Sequence, residues 1–136
     1  MQVIEKGHIY KLNVYDRPFG KRDMTLVFMK RVGDKYPANE NPPHEGTNCQ
    51  EVIRALFNRI NYLDAQIHHN VNDAIMANLE ECLYLLELRA AERHGRTLKT
   101  SINDIMQAPT CITCGHIECE EHNASTATGV VAGSLS

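Results

Sequence analysis

No apolar run in these 136 residues approaches the roughly 20 needed for a helix to cross a bilayer, so a membrane is not an expected partner. The first residues, MQVIEKGHIYKLNV, carry charge where a secretory signal needs an apolar stretch, which predicts a cytoplasmic protein. There is no internal repeat, P-loop, dinucleotide glycine fingerprint or G-x-S-x-G. The sequence therefore gives no motif-level ground for the corresponding enzyme chemistries. Residues 100–136 contain no lysine or arginine and four acids, a charge of −4, whereas residues 1–35 carry +4 and residues 36–99 carry −3. With a sequence pI of about 6.1, the chain lacks the basic footprint that duplex nucleic acid requires. A local basic pocket for a small anion remains compatible with that balance.

What is present reads as an α+β chain. In HIYKLNVYD, residues 8–16, Tyr10, Leu12 and Val14 fall on one face and Ile9, Lys11, Asn13 and Tyr15 on the other, the alternation of a half-buried strand. A turn, RPFGKRD, separates it from MTLVFMKRV, so the two runs predict an antiparallel β-ribbon. Two strands alone are marginal in water, so the ribbon must pack on something. Residues 34–46, DKYPANENPPHEG, read as a loop because of their prolines and glycine.

From residue 47 the period becomes helical. Thr47 with Gln50, or Asn48 with Glu51, offers a capping box. Val52, Ile53, Leu56, Phe57, Ile60, Leu63 and Ile67 then make an apolar stripe. HHNV interrupts it, and Asn70 or Asn72 is placed to cap a second helix. The second stripe is Ile75, Met76, Leu79, Cys82, Leu83, Leu86 and Ala90, with Leu85 and Leu88 as an added edge. Arg89, Arg93, His94 and Arg96 suit the negative end of that helix, and Gly95 its C′ position. A short link between long helices predicts an antiparallel hairpin, and the wide apolar arc of the second helix predicts a further contact with another chain. The expected organisation is a β-ribbon plus hairpin over residues 1–99, a zinc-binding segment over 100–123 and a disordered tail over 124–136.

Five cysteines are an odd number, and three of them fall in CITCGHIECEEH, residues 111–122. Cys111, Cys114, Cys119 and His122 have the residue types and spacing of a tetrahedral zinc site, with His116 a fifth ligand-type residue able to replace His122. Four protein ligands close the shell, which points to a structural rather than catalytic metal. Reduced cysteines also fit a cytoplasm. The H-x-E and P-C-x-x-C order of zinc deaminases is not met, because His116 follows Cys111 and Cys114.

Residues 45–96 carry G-T-x-x-Q-E-V at 46–52, R-x-x-Y-L at 59–63, Asn72 at the opening of the second helix and L-L-E-x-R-A-A-E-R at 85–93. In order and spacing this resembles the helical-hairpin domain of the phage anti-Thoeris and anti-CBASS sponge family, most like the anti-Thoeris branch with a β-element ahead of the hairpin. The resemblance spans about residues 8–97, and the Cys/His segment lies outside it. It implies a phage anti-defence protein in the host cytoplasm that binds cyclic ADP-ribose isomers made by Thoeris TIR enzymes without degrading them. It implies a homohexamer with pockets where subunits meet, and in some members separate sites for cyclic tri- or dinucleotides. Carried onto this chain, Tyr62 would stack on the purine, Asn72 make a polar contact, and Arg89 and Arg93 bind phosphate, with Arg31 a second phosphate contact. Thr47 and Arg54 match the region of a cyclic trinucleotide site. No cofactor is required for this function. Two other readings stand beside it: a small zinc-containing interaction module for protein or nucleic acid, and a cyclic-nucleotide hydrolase.

Overall fold

A computed structural model describes residues 1–16, 23–31 and 42–122. The expected turn at 17–22, most of the proline-rich loop and the tail at 124–136 lie outside the described residues. The chain forms two compact units, Met1–Cys49 and Gln50–Ser136. Its architecture is α+β, a three-stranded antiparallel sheet followed by two helices.

In the first unit, strands β1 (Gln2–Glu5), β2 (Ile9–Leu12) and β3 (Met24–Val27) lie in the order β1-β2-β3. The expected ribbon is β2 with β3, paired Tyr10 to Leu26 and Leu12 to Met24. Strand β1 is an addition to the sequence reading, and it supplies the packing that two strands lacked. The turn into β2 passes through Gly7 at φ 80°, a left-handed conformation that costs glycine little. Tyr10 meets Phe28 edge to face at 5.9 Å. Lys30 is buried, and its Nζ lies 2.6 Å from Glu5 Oε1, so this charge is paired. Residues 44–47 continue the backbone pairing beyond β3: Thr47 N–H donates to Val27 O and Lys30 N–H to His44 O. Gly46 makes that approach possible, because a Cβ there would stand 2.6 Å from backbone atoms of Val27, Phe28 and Met29.

The second unit begins with helix α1 (Cys49–Gln66) and continues with α2 (Asn70–Arg93). The Thr47–Gln50 capping box does not form. Thr47 is tied to strand backbone, and Gln50 is buried with its amide turned to His116, a partner 66 positions away. The N-cap of α2 is His69 rather than Asn70 or Asn72; its Nδ1 accepts from Val71 N–H. Asp64 explains the shift. Its Oδ1 accepts from the backbone N–H of His69 and from the side-chain amide of Asn72, which commits that amide and ends the link one residue early. At the other end the C′ expectation holds. Gly95, at φ 67°, donates to Glu92 O and Arg96 N–H donates to Ala91 O, the paired bonds of a Schellman motif.

Ile53 of α1 packs against the cluster that Leu83 of α2 forms with Ile105 and Ile117. That cluster is the core: Leu83, Ile105 and Ile117 are buried, with Leu98, Met106 and Ala108 around them. It sits at the open end of the hairpin and draws on the segment after α2. Towards the link the hairpin is bare; Leu63, Val71 and Ile75 are exposed, and Ile67 is 82% exposed. Among the described residues, no helix is long and apolar enough to cross a membrane.

Candidate functional site

The densest chemistry lies in residues 110–122. The backbone closes first: Thr110 bridges Ile117, Cys111 N–H donates to His116 O, and Gly115 N–H donates to Cys111 O. Gly115 at φ 75° and Glu118 at φ 50° are both left-handed. For Glu118, a non-glycine residue, that conformation costs of order 1–3 kcal/mol and persists only where its surroundings fix it. The folded loop gathers Cys111, Cys114, Cys119 and His122, whose ligand atoms all lie within 4.8 Å of one another. His122 Nδ1 is 3.5 Å from Cys111 Sγ and 3.2 Å from Cys119 Sγ. A tetrahedron with zinc–sulfur bonds of about 2.3 Å and zinc–nitrogen bonds of about 2.0 Å has sulfur–nitrogen edges near 3.5 Å. The donor set and its spacing therefore fit a metal ion of that size. His116, the alternative ligand, is turned away: Gln50 Nε2 donates to its Nδ1 at 2.8 Å, and Glu87 Oε2 is 3.7 Å from the same atom.

The thiols are electrostatically unequal. Burial opposes ionisation of Cys111, but the backbone N–H groups of Cys114 and Thr113 and the thiols of Cys114 and Cys119 outweigh it, holding Cys111 down at about 6. Burial pushes Cys114 up to about 12, against the N–H of His116, and the neighbouring Cys119 and Cys111 add to the rise. Ionisation is thus favoured at Cys111 and opposed at Cys114, where a nearby cation would offset the burial. A divalent metal supplies that cation and releases the proton.

The residues expected to face a nucleotide are placed differently. Tyr62 is 59% exposed near the end of α1, and Asn72 stands in the first turn of α2, where its amide donates to Asp64. Arg89 and Arg93 are exposed near the far end of α2. The 17 residues from Asn72 to Arg89 span about 25 Å at 1.5 Å per residue, so one hairpin does not bring the two ends to one ligand. Arg31 and Thr47 belong to the first unit; Arg31 is exposed and Thr47 half-buried.

Arg54 is the unusual member of that set. Its side chain is only 13% exposed, its nearest acid is Glu51 at 3.9 Å, and neither terminal nitrogen has a hydrogen-bond partner among the described residues. A shielded guanidinium without hydrogen bonds at its terminal nitrogens is costly. Two other features were absent from the sequence reading. Glu87 is 1% exposed in α2, and its Oε2 accepts from Ile117 N–H at 3.2 Å. In the first unit, His8 and His44 flank the Glu5–Lys30 pair, with ring centroids 5.9 Å apart. Both features depend on contacts between residues far apart in sequence, and neither has a local pattern.

No protein-family model, curated protein or solved structure matches this chain.

Proposed function

We propose that this protein is a phage anti-defence protein that binds and sequesters cyclic ADP-ribose isomers, and that a zinc ion held by Cys111, Cys114, Cys119 and His122 stabilises it without entering the chemistry. Such a ligand presents a purine face, two phosphates and ribose hydroxyls. What supports a phosphate-bearing ligand is Arg54, a shielded cation with a 3.9 Å ion pair to Glu51 and no hydrogen bond at either terminal nitrogen among the described residues, which a phosphate would satisfy. The exposed Tyr62 offers a ring for stacking, and Arg89 and Arg93 offer further phosphate contacts. The resemblance in residues 46–93 makes the cyclic ADP-ribose class the choice among phosphate-bearing ligands, with cyclic tri- or dinucleotides as a second class. The ligand is held intact, in the host cytoplasm.

Sequestration of a dilute signal needs tight binding. Nanomolar affinity corresponds to about −12 kcal/mol, which requires near-complete enclosure and paired phosphates. A single hairpin with its two candidate ends about 25 Å apart encloses nothing of that size. A second copy running antiparallel sets the Tyr62 end of one chain beside the Arg89 end of the other. The bare apolar residues Leu56, Leu63, Val71 and Ile75 supply surface for that contact, and a homohexamer repeats it.

The interaction-module reading has less support. Cys114, Ile117 and Cys119 of the metal loop are buried, and Ile117 is part of the core. Ile112 is the exposed large apolar residue of the loop, at 92%, beside the exposed Thr113, Glu120 and Glu121. The test is retention of cyclic ADP-ribose isomers and cyclic oligonucleotides by the purified full chain, with Tyr62→Ala, Arg54→Ala and Arg89→Ala beside it. Retention by the wild type, with a loss of more than tenfold in the variants, supports the proposal. Equal retention in all three variants contradicts the site.

A further inference from the structure

The residues that hold the metal loop to α2 alternate with its ligands. Between Cys114 and Cys119, Ile117 places its side chain in the core with Leu83 and Ile105, and its N–H donates to the buried Glu87. His116 beside it lies between Gln50 of α1 and Glu87. Glu118 O accepts from the Arg96 guanidinium just past the end of α2, and the Glu118 carboxylate accepts from Lys99 N–H at 3.1 Å. Next to His122, Glu121 Oε1 is 2.8 Å from Nδ1 of His94, the C-cap of α2. The loop thus grips one stretch, residues 83–99, through groups that sit within a residue or two of a ligand.

We propose that metal binding at Cys111, Cys114, Cys119 and His122 and the ordering of the C-terminal end of α2 are one cooperative event, with Glu87 as the positioning residue that links them. It rests on the metal reading given above. Without a metal, thiols and an imidazole make only weak contacts with one another, and the ligand positions rest on the loop's backbone bonds and its contacts with residues 83–99 alone. If it opens, Ile117 N–H leaves Glu87. A carboxylate that is 1% exposed, with Oε1 already lacking a hydrogen-bond partner among the described residues, then loses the donor at Oε2. The helix end relaxes to solvate it. In the reverse direction, Glu87 holds the segment between two ligands and so raises metal affinity. Arg89 and Arg93 stand on the stretch that is ordered.

The experiment uses the full chain, reduced and stripped with a chelator, then titrated with Co²⁺ while amide hydrogen exchange is followed by mass spectrometry. Thiolate-to-cobalt charge-transfer bands report loading at the four-ligand set. The expected result is that bands and protection of residues 83–99 rise together, while β2 and β3 of the first unit are unaffected. Glu87→Ala should weaken Zn²⁺ binding by about 10–100-fold, the size of one lost hydrogen bond to a charged group. Glu87→Gln, whose amide oxygen still accepts from Ile117 N–H, should restore most of it. Absence of the bands sinks the metal reading and this inference together. Bands with unchanged protection at 83–99 leave the metal reading standing and overturn the coupling. The wild-type exchange data decide the matter even if Glu87→Ala fails to fold.

Discussion

Asp64 ties the link between the helices with three acceptor contacts, to the backbone of His69, the amide of Asn72 and the ring of His68. These bonds hold its carboxyl at about 2, below the 3.8 of a free aspartate. A depressed acid contributes stability above its unfolded value and loses it as pH falls through the folded one, here between about 4 and 2. His68 shifts the other way, raised by its hydrogen bond to Asp64; its contribution is complete below the 6.5 of a free histidine and is lost as pH rises through the folded value. The link should therefore be tightest between about pH 4 and 6.5, seen as the highest protection factor of the His69 amide after correction for intrinsic exchange, and Asp64→Asn should flatten that profile. Gly46 gives a second prediction. Gly46→Ala puts a methyl group against strand backbone at 2.6 Å and should destabilise the first unit by about 1–3 kcal/mol in denaturant unfolding. The ordinary stability of an exposed glycine-to-alanine change would contradict this packing.

At the scale of elements, what the sequence revealed followed from local pattern. The β2–β3 ribbon was visible as period-two alternation, and both helices as apolar stripes. Gly95 was visible as a C′ residue because a Schellman motif is built from one short stretch, so Gly95→Ala should cost about 1 kcal/mol in thermal unfolding. Strand β1 was not visible: QVIE is four residues long and mostly exposed, so burial left no alternation to read. The Gln50 cap failed for a different reason, since a buried amide went to a histidine that only the tertiary fold brings near. The metal ligands were visible as spacing, but the choice between His116 and His122 was not, because both lie within reach of the same cysteines along the chain. Cys114→Ser should abolish the cobalt charge-transfer bands and lower the thermal midpoint of the second unit. The same substitution without effect on metal binding would contradict the four-ligand set.

The second unit has its packing away from the link between the helices. The core at Leu83, Ile105 and Ile117 leaves the helices exposed towards the link, where Val71 and Ile67 face solvent in the single chain. Two helices that bury little between them are usually completed by a further layer. That exposure is the argument for the proposed assembly, and the span of about 25 Å from Asn72 to Arg89 is why the proposed ligand site needs a second copy. Light scattering on the purified protein should give the mass of a hexamer; a monodisperse monomer would remove the shared pocket. Arg89→Ala, an exposed change, should leave that mass unchanged and the unfolding stability within about 0.5 kcal/mol of wild type while weakening ligand retention.

The central claim is capture without chemistry, and one measurement addresses it most directly. The full chain is mixed with a panel of cyclic ADP-ribose isomers, the free fraction is filtered off, the retained protein is heated, and the released material is separated by chromatography. The account predicts that at least one isomer disappears from the free fraction and returns unchanged on heating. An isomer that returns as a linear product would show an enzyme, and isomers that never leave solution would show that this chain does not bind them; either result contradicts the account.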